Sequence, residues 1–529
     1  MPATTIDVRY QYSVEQEVDL IGAVQNALVS VFKIPDDDRD ICLIVHDPHR
    51  FLCPPNKRNP EKFTRITIDC FVGRTLDTKR SLYLKIVNNL SAFGIPKDHI
   101  KIILREIPTE NWGTFMKKLA YSLLAFSILG LTACNDDDND FSFESSVSVP
   151  TLLSFAKLDV ETYAAGPNSG AFVKGANGIF PPFKGQPVQG FSGALKNNDG
   201  TYIVMADNGF GTQDNSSDFL LRLYQIKPDF RTKSSGTAKV QVMSFVQLRD
   251  PNKLIPFNIV NQNTADRLLT GADFDPESIQ RTADGTYWIG DEFGPYLLHF
   301  DKDGILLDAP IPLPNPLKVG AELRSPQNQF NKANINYVEP LVQQSGGFEG
   351  MALSKDGQYL YPLLEKPLKG ETNQQLLISQ FDVKKKAYTG RYYYFTLNTK
   401  ATNIGDFQMY DDKSGIIIER DASQNKLDGY KKLIQIELGD VGKAVKRSDL
   451  VDLMNVANPN NLYGAPRDGD IGTGTTFAFP FETIEDVIIE NKNTLTVMND
   501  NNFPGSSGRN AKRADDNEII QIKLPKALY

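Results

Sequence analysis

The sequence predicts two folded units of different class. One is an α/β unit of two βαβ repeats over residues 1–115. The other is an all-β propeller of six blades over residues 150–529. Three observations carry this. The chain has 529 residues, more than one ordinary domain holds. Its hydrophobic pattern alternates strand and helix in the first part and becomes a recurring two-strand hairpin in the second. Chemistry-bearing residues are unevenly placed: Cys42, Cys53, Cys70 and Cys134 all precede residue 135, and His299 is the single histidine beyond it. The second unit therefore holds no disulfide, thiolate metal site or multi-histidine metal site. A net charge of −8 speaks against nucleic acid as the partner.

The first unit opens with alternating Ile6, Val8 and Tyr10, a strand. Ser13 and Gln16 have capping-box spacing. Val18, Ile21, Val24, Leu28 and Val31 then follow at helical spacing. "KIPDDDRDICLIVHD" turns into a second strand. "FTRITIDCFV", "DTKRSLYLKIVNNLSAF" and "GIPKDHIKIILREI" repeat the order of strand, helix, Ile-Pro turn and strand.

Between the units stands "MKKLAYSLLAFSILGLTAC", residues 116–134. A Met-Lys-Lys start, an apolar run from Leu119 to Ala133 and the ending Leu131-Thr132-Ala133-Cys134 resemble a bacterial lipoprotein leader with its lipobox. The apolar run is short for a bilayer span. By this resemblance Cys134 is lipidated and becomes the first mature residue. Residues 135–149, which begin with the acidic tract, are then a solvated tether. The second unit is expected to be membrane-anchored, periplasmic or at the cell surface, and the first to stay in the cytoplasm where it is made separately. The join has the look of two proteins placed end to end, with Met116 the natural start of the second.

In the second unit the hairpins are "GFSGALKNNDGTYIVMADNG" from Gly190, "DPESIQRTADGTYWIGDEFG" from Asp275, "GFEGMALSKDGQYLYPLLEKP" from Gly347, "IGDFQMYDDKSGIIIERD" from Ile404 and "PFETIEDVIIENKNTLTVMNDNN" from Pro480. Asp-Gly between apolar runs is a strong hairpin signal. Their spacing suggests blades around an axis, and the length suggests six, although only these five hairpins are clear. Acids recur at matching points. Asp275, Glu277, Glu349, Asp406 and Glu482 lie near first strands; Asp207, Asp291, Glu292, Glu365, Glu419 and Asp500 lie at the ends of second strands. Converging carboxylates repel one another and call for a cation. Oxygen donors alone select a hard one, Ca²⁺ or Mg²⁺. The candidate ligands are Glu277, Asp291, Glu292, Glu349, Glu365 and Asp500. Arg222, Lys366 and Arg509 are candidate phosphate-binding residues by charge and position. No Gly-x-Ser-x-Gly elbow occurs in this unit, and Ser192 lacks that pattern.

Pro2 directly after Met1, "IPDDDRD", "GRTLDTKRSLY" and "EIPTENWG" make the first unit resemble the tautomerase superfamily. The resemblance implies a double βαβ fold, a homotrimer, no cofactor, and catalysis by an amino-terminal proline once Met is removed. Such an amine, with its pKa lowered from near 8, moves protons at neutral pH. By the same resemblance Arg74 binds a substrate carboxylate and Asp38 orients a water, on small 2-oxo or unsaturated acids. Val72 stands where the decarboxylase branch carries a second arginine.

"GQPVQGFSG", "MADNGFG", "DPESIQ", "WIGDEFGPYLLHFD", "GFEGMAL" and "NDNNFPGSSGR" make the second unit resemble the phytase-like family described as having esterase-like activity. This implies a propeller, a monomer, that hydrolyses phosphate esters with Ca²⁺. Propeller phytases carry Asp-Pro-Ala-Ile/Val-Trp where this chain has Asp275-Pro276-Glu277-Ser278-Ile279. The alternative reading is a non-catalytic ligand-binding propeller joined to an inactive tautomerase relative.

Overall fold

The computed structural model describes residues 2–35, 38–71, 74, 76–107 and 149–529. The chain divides into two compact units, residues 1–138 and 139–529. The expected leader 116–134 with its Cys134, and the tether up to residue 148, lie outside the described residues. Among the described residues no helix is long and apolar enough to cross a membrane.

In the first unit, β1 (Ala3–Val8), α1 (Val14–Phe32) and β2 (Ile41–Val45) form one βαβ repeat, with β1 and β2 parallel. A second repeat follows: β3 (Thr64–Phe71), α2 (Leu76–Ala92) and β4 (Ile100–Ile107), again parallel. Antiparallel pairing of β1 with β3 joins the repeats into a sheet of order β2-β1-β3-β4. The capping box forms as its spacing predicts: Gln16 N–H donates to Ser13 Oγ at 3.3 Å, and Ser13 N–H donates to Gln16 Oε1 at 3.0 Å. Leu20, Val24 and Leu28 of α1 and Leu82, Ile86 and Leu90 of α2 bury against Ile6, Val8, Ile66 and Ile68 of the sheet. This is the expected tautomerase-type fold.

The second unit is all-β, as its hairpins predict. Four sheets are four-stranded meanders, opening with the strands Phe191–Lys196, Pro276–Arg281, Phe348–Leu353 and Asn403–Met409. A fifth takes Ile484–Asn491, Thr494–Asn499 and Asn517–Lys523 from the end of the chain. Its fourth strand comes from the beginning of the unit, β5 (Thr151–Leu158), antiparallel to Asn517–Lys523. The closure is velcro-like, and one parallel pair, Lys157 with Lys239, also links the fifth sheet edge to edge with the first. The five opening strands pack side by side in order, and the last packs on the first. The expected count of six is therefore corrected to five among the described residues. The length used to estimate six blades includes long connections and the closing strand. The segment 222–247 supplies the outer two strands of the first sheet.

Three of the five hairpins turn where Asp-Gly stands, at residues 199–200, 284–285 and 356–357. At Asp284-Gly285 the glycine takes φ 86°, and Asp284 Oδ1 accepts from Thr286 N–H at 3.1 Å. Apolar side chains fill the layers between neighbouring sheets. Trp288, 1% exposed, joins Leu297, Phe348, Leu360 and Phe381 between the second and third. His299 stacks on Trp288 with centroids 4.2 Å apart, and its Nδ1 lies 2.6 Å from Asp308. It packs beside its strand, and its Nε2 lies 2.9 Å from Thr286 Oγ1.

Candidate functional site: a carboxylate-lined cavity

Where each opening strand begins, the pairing with the second strand slips. The slips fall at Phe191/Ala194, Pro276/Ser278, Phe348/Gly350, Ile404/Phe407 and Ile484/Asp486. A bulge re-aims the side chain it carries. Here the bulges sit beside Ser192, Glu277, Glu349 and Glu485, at the end of the ring where the second strands deliver Asp207, Glu292, Glu365 and Asp500. The result is one cavity of about 470 Å³. Nine carboxyl groups line it: Asp207, Asp275, Glu277, Glu292, Glu349, Glu365, Glu482, Glu485 and Asp500, against Lys366 and Arg420. Gly347 is required for the close approach of two sheets here, because a Cβ on it would lie 2.0 Å from the carbonyl oxygen of Glu292.

Within the cavity, carboxylate oxygens of Glu277, Glu349 and Glu485 lie within 4.8 Å of one another, and so do those of Glu292, Glu349 and Glu365. Two ionised carboxylates at 4.8 Å repel by about 3.5 kcal/mol at an effective dielectric of 20. Three such pairs per group rival the whole stability of a domain, so the groups hold either protons or a cation. Burial, and then their neighbours, raise the carboxyl pKa values. Glu277 is pushed well up by burial and by Asp275, Glu349 and Glu485; Glu292 by burial and by Asp275, Glu365 and Glu349. Glu349 is also held well above the usual range, by burial and by Glu365 and Glu485, although Arg420 opposes the shift. Asp207 is raised by burial and by Asp500, and Asp500 by burial and by Glu485. Arg420 Nη2 reaches Glu485 at 2.9 Å and Glu349 at 3.2 Å, and lies 3.8 Å from Glu365.

Of the ligands expected from sequence, Glu277, Glu292, Glu349, Glu365 and Asp500 meet in this cavity. Asp291 does not, because its two oxygens accept from the N–H groups of Asp275 at 2.9 Å and Gly294 at 2.7 Å, tying the strand end to its turn. Lys366 lines the cavity, but Arg222 and Arg509 do not. Arg222 donates to Gln247 and to the carbonyl of Ala165, with its guanidinium over Phe245. Arg509 is buried in a pair with Glu518. Glu485 and Arg420 are the residues that sequence reasoning passed over. Arg420 directly follows Glu419 and Glu485 stands three after Glu482, acids it did weigh; strand alternation turns Arg420 to the cavity while Glu419 pairs with Arg447, and a bulge brings Glu485 in beside Glu482.

Near the cavity, Asp515 is buried and accepts from the N–H groups of Gly508 and Arg509, at 2.5 Å and 2.9 Å. Burial pushes its pKa up from 3.8 to about 7. A carboxyl with a raised folded pKa binds its proton more tightly folded than unfolded. Its favourable contribution is complete below about pH 4 and is lost as pH rises toward 7. We expect this group to lower stability by up to about 1.4 kcal/mol per pH unit across that window. Urea midpoints measured from pH 4 to 8 should show a shallower fall in Asp515→Asn; an unchanged slope would refute the assignment.

In the first unit, Ala3 pairs with Asp69, and Thr4 N–H donates to the carbonyl of Asp40 at 2.8 Å. This register puts buried Pro2, the Asp38 segment and the chain following β3 at one end of the sheet. Arg74 Nη1 donates to the carbonyl of Phe71 at 2.8 Å, and its guanidinium lies 4.0 Å from the ring centroid of Phe32, at the same end. The Asp38 carbonyl accepts from Gln25 Nε2 at 2.9 Å. The three expected residues are thus gathered by topology.

Residues 12–114 match the family model described as tautomerase enzyme. Among solved structures, a malonate semialdehyde decarboxylase inhibited by 3-bromopropiolate is 28% identical and covers 22% of this chain and 89% of its own, with a TM-score of 0.21. A wild-type fused 4-OT asymmetric trimer is 18% identical over 21% of this chain and 92% of its own, with a TM-score of 0.20. An uncharacterized secreted protein of Arthroderma benhamiae is 25% identical over 211 residues, 34% of this chain, and the match spans 41% of that protein's length. Residues 186–503, more than half of the chain, match the family model described as Phytase-like, esterase-like activity of phytase. The chain belongs to this phytase-like family and carries a tautomerase-family unit ahead of it.

Proposed function

We propose that the second unit is a five-bladed propeller that hydrolyses phosphate esters with the help of Ca²⁺ or a similar hard divalent cation. The observation that carries this reading is the cavity, with nine carboxyl groups against two basic side chains. The donor set fits such an ion: all-oxygen, and close enough that the ligand oxygens of each group share one centre. Glu277, Glu292, Glu349, Glu365 and Glu485 would hold it. When bound, the ion supplies charge to the phosphate oxygens and lowers the pKa of water. The protein's own groups do the rest. Lys366, with Asn403, Gln424 and Ser506 around the cavity, orients the phosphate. Burial, with Asp500 beside Asp207 and Glu485 beside Asp500, would keep a proton on these two carboxyls; that proton would pass to the leaving oxygen as the phosphorus–oxygen bond breaks, and the proton released by the water as its oxygen bonds to phosphorus would return to the carboxylate so freed. We expect phosphate release from p-nitrophenyl phosphate that stops with EGTA and returns with added Ca²⁺. Cation binding without turnover of a broad ester panel would favour the non-catalytic reading.

For the first unit the proposal is a proline-dependent tautomerase or hydratase of small 2-oxo or unsaturated acids, assembled as a homotrimer. Pro2, Arg74 and Asp38 supply base, carboxylate grip and water orientation. Deuterium exchange at the α-carbon of a 2-oxo acid is expected to fall by about 10²-fold or more in Pro2→Ala. Exchange that survives the substitution would rule the mechanism out. Anchoring through lipidated Cys134 outside the cytoplasm belongs to the same proposal, and N-terminal mapping of the native product by mass spectrometry decides it.

A further inference from the structure

We infer that a second cavity, at the seam where the ring closes, binds a small anion that carries an apolar body, such as an aliphatic carboxylate. This site is separate from the carboxylate-lined cavity and stands whether or not that cavity hydrolyses esters.

Three stretches far apart in the chain build the seam. Residues 155–162 come from β5 and the turn after it, residues 231–242 from the outer hairpin of the first sheet, and residues 463–470 from the connection into the fifth sheet. β5 meets that hairpin through the parallel pair Lys157 with Lys239, and through Phe155 and Arg231, whose N–H groups donate to each other's carbonyls at 3.0 Å and 2.9 Å. Between the three stretches lies a cavity of about 480 Å³, the size of an ordinary small-molecule site.

Its lining has two characters. Phe155, Leu158, Val240, Val242 and Tyr463 supply apolar surface. The charged side chains are mostly basic: Lys157, Arg231, Lys239 and Arg467, with only Asp159 and Asp470 against them. This balance is opposite to that of the chain, with its net charge of −8, and to that of the carboxylate-lined cavity. Two of the four cations are committed. Lys157 and Arg467 both pair with buried Asp516, and Arg467 pairs with Asp470 as well. The other two are not. Arg231 donates to the carbonyls of Tyr463 and Thr237 at 2.7 Å and 3.4 Å, and among the described residues neither it nor Lys239 forms an ion pair. A guanidinium has more donors than two carbonyls take. The fold makes room for this one: Gly464 has φ 86°, and a Cβ there would lie 2.1 Å from Arg231 Nη1.

A bare anion such as phosphate would answer the charge and leave the apolar wall wet. A neutral apolar molecule would cover the wall and leave Arg231 and Lys239 unanswered. An anion with an apolar body does both, by charge-assisted hydrogen bonds at one end and burial at the other. It would touch both sheets that meet at the seam. It would therefore bind the closed ring in preference to the open one and stabilise the closure.

The test is a titration of the full-length protein with sodium decanoate in EGTA, read by calorimetry and by the melting transition of the second unit. EGTA removes any cation that decanoate could meet in the other cavity. We expect saturable binding and a rise in melting temperature. Lys239→Glu, at an exposed position, should weaken binding by about 10-fold or more while the ligand-free protein melts as the parent does, and Arg231→Gln should weaken it at least as much. Decanol and inorganic phosphate should each bind about 10-fold or more weakly than decanoate. No rise in melting temperature with decanoate, or a rise that both substitutions leave intact, overturns the site. Decanol binding as well as decanoate would show a merely apolar cavity, and phosphate binding as well a merely ionic one; either overturns the ligand class. Hydrolysis of phosphate esters is read separately, with Ca²⁺ present, and none of these outcomes decides it.

Discussion

Glu349→Gln is expected to lower cation-dependent phosphate release by about 10²-fold or more while leaving the metal-free protein as stable as the parent or more so. Glu349 belongs to both groups of clustered carboxylates, so its loss weakens every proposed ion contact at once. In the metal-free state the same carboxylate is a liability, because it is buried among Glu365 and Glu485. Gln keeps the shape and removes the charge, and Arg420 keeps Glu485 at 2.9 Å as its partner. The two states therefore respond in opposite directions. An ion present at 100 times its dissociation constant stabilises the parent by about 2.7 kcal/mol, and the variant should forfeit most of that. Melting curves with EGTA and with Ca²⁺ check it beside the activity assay. A variant that melts lower in EGTA and gains normally from Ca²⁺ would show Glu349 to be a structural partner of Arg420 and no ligand.

Arg509→Met should cost about 3–5 kcal/mol of stability, since it leaves a buried carboxylate without its partner. Arg509 donates to Glu518 through Nε at 2.9 Å and Nη2 at 2.7 Å, and both side chains are 1% exposed. Its Nη1 adds bonds to the carbonyls of Ile471 and Ala478, and the rings of Tyr463, Phe477 and Phe481 surround the guanidinium at 5.0–5.3 Å. Glu518 stands on the third strand of the fifth sheet, next to the closing strand β5, so the pair guards the closure of the ring. Urea unfolding measures the cost. In Arg509→Met with Glu518→Leu most of the loss should return, because no buried charge is then left unpaired. If Arg509 served phosphate, the single variant would raise KM at nearly unchanged stability.

Legibility differed between the two units for a physical reason. In the first, local signals agree with the fold. The Ser13–Gln16 box, the apolar spacing of α1 and the repeated Ile-Pro turns each specify an element without long-range help, and the parallel registers follow from the βαβ connection. In the second, the hairpins were equally plain, since Asp-Gly turns and strand alternation are local. The blade count was not. It depends on how the opening strands close on one another and on β5 joining Asn517–Lys523 across more than 350 positions, a pairing that no local pattern announces.

The site shows the same division. The sequence by itself narrowed the chemistry: an acid-rich, cysteine-free unit with one histidine would offer a metal mainly oxygen donors, which suit a hard ion. It also marked most of the acids, because equivalent positions of repeated hairpins are brought to one end of a ring. Only the tertiary structure decided which acids face one another. Asp291 and Glu292 are neighbours in sequence, yet the first is spent on backbone N–H groups and the second lines the cavity. Glu485 and Arg420 enter because a bulge or a strand end turns them inward. Arg222 and Arg509 leave because each is more strongly held elsewhere, one by Gln247 and the Ala165 carbonyl, the other by Glu518. Side-chain direction in a sheet reverses with every residue, so a slip of one position moves a charge between core and cavity.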